Sequence, residues 1–352
     1  MNNIPEKMKG ILLTGHGGFD KLLLRTDIPV PQPGVGDVLI KVSAAGMNNT
    51  DINTRIAWYS KSGSNSSDVG WSGNPVQFPR IQGADVCGRV VAVGDPADNH
   101  FLNERVLVEP CFREFHGEAL NPPWYFGSEC DGGFAEYTLA PARHVYKINS
   151  HYSDIELASF PCAYSTAENL LTRANVGAND VVLVTGASGG VGSAAVQLAK
   201  ARGAQVIGVT KLSKSDGVIK LGAAQTLSRD DHVVEKLGRN SVDVVIDLVA
   251  GKQWPDFLEV LKPFGRYAAA GAIAGAFVEL DVRTLYLKDL SLFGCTVLND
   301  NVFGNLVKRI EAAEISPVVS STFALSQIVD AQKQFETKQH VGKMVIDMSI
   351  PN

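Results

Sequence analysis

The sequence predicts an α/β protein of two domains, a barrel-like β domain followed by a doubly wound parallel sheet. Three observations carry this expectation. The 352 residues, 45% hydrophobic and 20% charged, suffice to bury a large core and exclude a disordered chain. From residue 9 to about 150, short β-type runs are broken by glycine and proline. After about residue 156, near-continuous apolar strands alternate with helical stretches, the texture of a parallel sheet covered on both faces.

In chain order, the first domain shows β-type runs at 37–43, 88–93, 105–108 and 134–139, and no long helix. Two stretches, 58–74 (rich in Ser, Gly and Asn) and 111–131 (polar and aromatic), read as irregular excursions. Each is either a lid or site-lining loop, or a plain surface loop. The second domain reads as strand 181–184, a glycine turn, helix 193–201, strand 205–209, helix 217–221 and strand 242–247. Helix 254–261, strand 266–270 and strand 290–294 complete it. The tail carries a helix at 303–313 and a β run at 343–347 suited to pairing back with the first domain. The expected division is therefore 1–155, 156–298 and a return at 299–352.

Charge and termini narrow the partners. The 32 basic and 37 acidic residues give a net charge of -5, without the basic excess that attracts phosphate backbones, so nucleic acid is not expected. Residues 1–10 hold Glu6, Lys7 and Lys9 and no apolar signal core, and no apolar run is long enough for a bilayer. A cytoplasmic protein acting on a small-molecule substrate is expected. The cysteines, odd in number and scattered (Cys87, Cys111, Cys130, Cys162, Cys295), fit reduced thiols rather than a disulfide framework.

The sharpest local signal is the segment 184–192 (VTGASGGVG), after a strand and directly before a helix. Its glycines permit a tight turn and close approach to a pyrophosphate, and the helix N–H groups of Ser188, Gly189, Gly190, Val191 and Gly192 favour negative charge there. The pattern begins with Ala187 where the usual fingerprint has glycine. The alternative is an ordinary tight strand-to-helix turn. The next strand ends at Thr210 and Lys211 with no acid before Asp216. A carboxylate there would hold a ribose 2′-hydroxyl; Lys211, Lys214 and Arg229 instead offer positive charge to a 2′-phosphate, which points to NADPH. Taken singly, each is equally readable as a solvated surface cation.

Segments 46–51 (GMNNTD), 83–94 (GADVCGRVVAVG), 131–137 (DGGFAEY), the glycine turn and 242–247 (VDVVID), in this order, resemble the medium-chain dehydrogenase/reductase superfamily, closest to its quinone oxidoreductase branch. The resemblance spans nearly the whole chain. It implies a GroES-like catalytic domain, a Rossmann cofactor domain and a dimer joined through the Rossmann sheets. It further implies that Thr166 packs on the nicotinamide, that Ala270, Gly271 and Ala272 meet its amide, that Lys214 pairs with the 2′-phosphate and that Lys343 lies near the pyrophosphate.

Zinc-dependent members of that superfamily use a Cys in the first segment and a His-Glu pair in the second. Here Asn48, Ala84 and Asp85 stand at those positions, and an amide and a methyl cannot replace a thiolate and an imidazole. Cys111 and Cys130, with His116 between, are too few for a four-cysteine structural site. No metal is expected. Without a Lewis acid, oxidising a simple alcohol is hard, whereas a quinone or α,β-unsaturated carbonyl needs only positioning and a proton source. Asn48 is the candidate polar orienter, and Thr50 and Tyr59 are candidate relay hydroxyls; each could equally make a structural hydrogen bond. Trp58, Trp71, Phe78 and Trp124 line an apolar acceptor pocket or pack as core. The resulting expectation is a zinc-independent NADPH-dependent quinone or enone reductase. The competing readings are an alcohol or sugar dehydrogenase, and an NADPH-binding, crystallin-like protein with little catalysis.

Overall fold

A computed structural model describes residues 4–60 and 70–351. Much of the expected excursion at 58–74 falls outside the described residues. The chain divides into two units, the first built from residues up to Cys162, Val319–Gln339 and Lys343 onward, the second from Ala163–Val318 and His340–Gly342. The divisions come after Cys162 and Val318, later than the expected 155 and 298.

The first unit runs β1 (Lys7–Leu13), β2 (Leu22–Pro29), β3 (Asp37–Gly46), α1 (Asn49–Arg55), β4 (Arg80–Ile81), β5 (Asp85–Val93), β6 (Arg105–Val108), β7 (Cys111–Phe115), β8 (Glu118–Tyr125), β9 (Tyr137–Pro141), β10 (Val145–Lys147) and α2 (Asp154–Leu157). Helix α3 (Pro161–Arg173) follows. The second unit then runs β11 (Val181–Val184), α4 (Gly190–Ala201), β12 (Gln205–Thr210), α5 (Ser215–Lys220), β13 (Gln225–Ser228), α6 (Val233–Leu237), β14 (Val242–Asp247), α7 (Trp254–Val260), β15 (Leu261–Ala269), α8 (Val282–Leu287), β16 (Ser291–Gly294) and α9 (Val302–Glu311). The return to the first unit carries β17 (Val319–Phe323), α10 (Ile328–Glu336) and β18 (Lys343–Asp347).

Strand β3 organises the first unit. It pairs with β9 over Asp37 to Lys41, with β18 over Ala44 to Gly46, and with β5 along its length. Register shifts against β5 after Leu39 and Val42 bend it, and bulged strands of this kind curl a sheet toward closure. The order β10-β6-β5-β3-β18-β17 results, beside a smaller β2-β1-β4 sheet. The return of 343–347 to the first domain is therefore observed. Leu39, Ile40, Met47, Phe112, Phe126 and Phe134 are fully buried in its core.

Two sequence readings need correction. The stretch 111–131 is largely a hairpin, β7 against β8, with Cys111 opposite Tyr125 and Phe115 opposite Glu118. Its polar composition hid it because one face is exposed. The run expected at 134–139 begins only at Tyr137, because Phe134 N–H is spent on Gln82 O and Gly133 N–H on Gly83 O. Helix α3 went unread, since Pro161 opens it and its polar residues interrupt the apolar period.

The second unit is a six-stranded parallel sheet in the order β13-β12-β11-β14-β15-β16. This is the doubly wound order whose strand sequence reverses beside the first strand, the place where such sheets bind dinucleotides. The apolar runs of β11, β12 and β14 are buried, as two-sided covering by helices requires. Among the described residues no helix is long and apolar enough to cross a membrane.

Candidate active site

The second unit supplies a phosphate turn. Strand β11 ends at Val184, Ala187 N–H donates to Val209 O across the strand ends, and Gly189 N–H closes the turn onto Gly186 O. Gly186 sits at φ +59°, a conformation that favours glycine. Helix α4 begins at Gly190 with no acidic residue in its first turn, so its free N–H groups and positive end face no competing carboxylate. A Cβ on Gly192 would lie 2.1 Å from Gly186 O, so the helix can lie this close to the turn only with glycine there. Ser188 is buried, and its carbonyl accepts from Gly342 N–H at 3.0 Å.

At the end of β12, Thr210 is buried and its hydroxyl oxygen has no hydrogen-bond partner among the described residues. Lys211, Lys214 and Arg229 converge here: burial lowers the Lys214 pKa, and repulsion from Lys211 and Arg229 lowers it further. Lys214 sits in a short turn, Leu212–Lys214, and its ammonium donates to His340 O at 2.6 Å. Arg229 is mostly exposed and its N–H bonds Thr210 O at 2.8 Å. An orphan hydroxyl beside three clustered cations fits a phosphate-bearing ribose. Thr166 lies half-buried on α3.

Ala270, Gly271 and Ala272 follow β15 at the C-terminal edge of the sheet. What fixes that edge is not legible in the sequence. Asp247, fully buried at the end of β14, accepts from Thr185 Oγ1 at 2.6 Å, Tyr267 Oη at 2.6 Å and Val249 N–H at 2.8 Å. Its carbonyl accepts from Ala270 N–H. Burial, with Asp247 beside it, holds the Tyr267 hydroxyl protonated.

The first unit supplies a buried polar cluster at the point where β3, β5 and β18 meet. Gly46 pairs with both Asp85 and Val345, and Met47 N–H bonds Met344 O, so the register alone brings Asn48, Asp85 and Lys343 together. Gly46 is obligatory: a Cβ there would meet Asp85 Oδ2 at 2.6 Å and Ala158 O at 2.4 Å. Lys343 Nζ donates to Met47 O and Asn48 Oδ1 and pairs with Asp85 Oδ2 at 2.8 Å. Asn48 Nδ2 donates to Asp85 Oδ2 at 2.9 Å and, at a marginal 3.4 Å, to Gly46 O. Asp85 Oδ1 accepts from Cys162 N–H. The cluster is closed from solvent, with Asp85 at 0%, Lys343 at 2% and Asn48 at 6% exposure.

Lys343 is fully engaged within the first unit. An ammonium has three donors, and all three are spent on oxygens of the first unit, so none is left to hold a pyrophosphate. Asn48 is also more engaged than expected, with its carbonyl oxygen and one amide proton fully used. The cluster does not fit zinc either: Ala84 offers no lone pair, and the Asn48 oxygen already accepts from a cation. Burial, reinforced by Asp85, pushes the Cys162 thiol up to about 12, so the thiol stays protonated among these neighbours.

Thr50 and Tyr59 meet, Tyr59 Oη donating to Thr50 Oγ1 at 3.0 Å, and burial raises the tyrosine pKa. Each of the four candidate aromatics has an aromatic neighbour: Trp58 meets Tyr59 and Phe78 meets His16 edge-to-face, and Trp71 and Trp124 lie tilted against Tyr125 and Phe115. Tyr125 also reaches Cys162 Sγ at 3.0 Å.

Asp51, missed in the sequence, completes the cluster. Its carboxylate accepts Asn48 N–H at 2.7 Å and Gly83 N–H at 3.2 Å, yet burial pushes it up to about 7 against those bonds and Lys343. The folded chain thus keeps a proton that the unfolded chain, near 3.8, gives up. Stability is therefore expected to fall as pH rises from about 4 to about 7 and to level off above it. Urea midpoints of the wild type and Asp51→Asn, compared from pH 5 to 9, check this. The wild type should lose ground to the variant up to about pH 7, and a constant difference would assign the slope to another group.

Comparison with known proteins places these features. The alcohol dehydrogenase GroES-like domain profile matches residues 34–150 and the zinc-binding dehydrogenase profile residues 190–312. A Sinorhizobium meliloti 1021 protein, provisionally described as an alcohol dehydrogenase, has a crystal structure with TM-score 0.92 and 43% identity, covering 99% of this chain and 98% of its own. The quinone oxidoreductase of Homo sapiens is 28% identical over 353 residues, 96% of this chain and 97% of that protein. An NAD-dependent alcohol dehydrogenase of Sulfurisphaera tokodaii is 29% identical over 346 residues, 93% of this chain and 96% of that protein.

Proposed function

The chain belongs to the medium-chain dehydrogenase/reductase superfamily, and from that premise we propose that it is a zinc-independent, NADPH-dependent reductase of quinones or α,β-unsaturated carbonyls. The observation that carries this reading is the Lys343–Asp85–Asn48 cluster, in which an ammonium binds Asn48 and Asp85, residues that stand where the resemblance implies zinc-ligand types in zinc-dependent members. With no metal to acidify an alcohol, the favoured reaction is reduction of an acceptor already poor in electrons.

Bound NADPH would supply the hydride, which with one proton from solvent converts a quinone to a hydroquinone or an enone to a saturated carbonyl. The residues of this chain do the rest. The N–H groups at Gly190, Val191 and Gly192 would bind the pyrophosphate, and Thr210, Lys211, Lys214 and Arg229 the 2′-phosphate. Thr166 and the backbone of Ala270, Gly271 and Ala272 would orient the nicotinamide. The Tyr59–Thr50 hydroxyl pair would pass the proton.

The decisive assay follows NADPH oxidation by dialysed protein across ortho- and para-quinones, 2-alkenals and simple aldehydes, with metal analysis of the same sample. Turnover of quinones or alkenals without zinc is expected. The names of several relatives favour the second reading, an alcohol dehydrogenase, which would instead show NAD-linked alcohol oxidation and stoichiometric retained zinc. Tight NADPH binding with no turnover would mark a crystallin-like protein.

For cofactor choice, Lys214→Ala is expected to weaken NADPH about 10- to 100-fold, the worth of one charge-assisted phosphate contact, and NADH about twofold at most. Dissociation constants from nicotinamide fluorescence check it; equal losses would remove Lys214 from the phosphate site.

The partner proposed is a second copy of this chain. Edge strand β16 offers unpaired backbone, and Phe277, Val282, Tyr286, Leu287 and Leu292 expose apolar surface in the segment leading to it and on the strand itself. Light scattering at micromolar concentration reads the state directly.

A further inference from the structure

We propose that Lys343 is a positioning residue of the reaction, polarising the Asn48 amide so that its loosely held N–H becomes the donor to the acceptor's carbonyl oxygen. This rests on the reductase reading and assigns its electrostatics.

The geometry is specific. Lys343 points its ammonium at Asn48 Oδ1, the far end of the amide from the nitrogen that must donate. Charge drawn toward the oxygen leaves the N–H protons more positive, and linked hydrogen bonds strengthen one another in a dry site. One of those protons is held by Asp85 at 2.9 Å. The other meets only Gly46 O at 3.4 Å, a contact weak enough to be surrendered. Asp85 in turn neutralises the ammonium, so the cation persists without solvent. All three donors of Lys343 are engaged, so it acts through Asn48.

The chemistry needs such a donor. As hydride adds to the β-carbon of an unsaturated carbonyl, the double-bond pair moves toward oxygen as an enolate, and a proton from water then reaches the α-carbon. A donor aimed at that oxygen lowers the barrier because negative charge develops there in the transition state. A weak acceptor such as a 2-alkenal depends on this help more than a strongly oxidising ortho-quinone does.

The test uses Lys343→Arg, Lys343→Met and the charge-neutral pair Lys343→Met with Asp85→Asn, the last retaining a testable protein should the lone Met variant fail to fold. Two readouts are taken. One is the ratio of kcat for a 2-alkenal to kcat for an ortho-quinone, with KM for NADPH as a control of the cofactor half. The other is the side-chain amide 15N resonance of Asn48 in cofactor-free protein. We expect the ratio to fall about tenfold or more in the neutral pair, with KM for NADPH unchanged, and to recover toward wild type in Lys343→Arg. The Asn48 resonance should move upfield in the neutral pair. A ratio held within about twofold while both rates fall together, or an unmoved Asn48 resonance, would reduce Lys343 to a structural cation and overturn the proposal. Absence of turnover in the wild type with every acceptor would overturn the reductase reading and this role with it, a failure distinct from an unchanged ratio in an active enzyme.

Discussion

Replacing Asp85 with alanine is expected to cost about 3–5 kcal/mol of unfolding free energy, the usual penalty for leaving the partner of a buried ion pair uncompensated. Asp85 has no exposure and answers three donors at once: the Lys343 ammonium, the Asn48 amide and Cys162 N–H at the head of α3. Truncation strands all three. The loss should exceed that of an exposed pair such as Arg25–Asp27, whose attraction is screened by solvent. Urea unfolding followed by far-ultraviolet circular dichroism measures both. A loss below about 1 kcal/mol for Asp85→Ala would mean that water enters and solvates the ammonium, and the cluster would not be the dry site described here.

The second large effect is expected at the phosphate turn. Gly192→Ala places a methyl 2.1 Å from Gly186 O and 2.8 Å from Ala187 Cα, both backbone atoms that no side-chain rotation can clear. The first turn of α4 must retreat, and the N–H groups that would meet a pyrophosphate retreat with it. Loss of dinucleotide affinity by about 100-fold or more is expected, since displacement of a positioned group by about 1 Å already costs on that scale. Energy transfer from tryptophan to the nicotinamide ring measures it. Gly189→Ala is the matched control, because its nearest neighbour would be 3.4 Å away. Similar losses in both variants would argue that the turn is deformable and the clash immaterial.

The legible parts of the site were those with short-range signatures. The glycine turn, the missing acid after β12 and the lysines that replace it lie within about one strand and helix of each other, and their roles depend on local backbone geometry. The contacts of Lys343 were not legible, because its partner Asn48 lies 295 residues away and its environment depends on strand register, which composition does not encode. Asp51 and Asp247 escaped notice for a related reason. A lone aspartate in a sequence is most often a solvated surface group, and only burial turns it into a titrating or turn-fixing one.

By itself, the sequence determined the two-domain α/β plan, the parallel sheet with helices between its strands, the glycine turn and the donor atoms available at 48, 84 and 85. These follow from periodicity, from glycine stereochemistry and from the identity of donor atoms, all properties of short stretches of chain. Only the tertiary structure decided what those donor atoms meet. The antiparallel return of β18 against β3, with Gly46 opposite both Val345 and Asp85, carries a lysine from the end of the chain into contact with an amide and a carboxylate from its beginning. The physical reason is register: once Gly46 allows the close approach and β3 bends at its bulges, a single strand alignment brings three distant groups within hydrogen-bonding distance in a space closed to water.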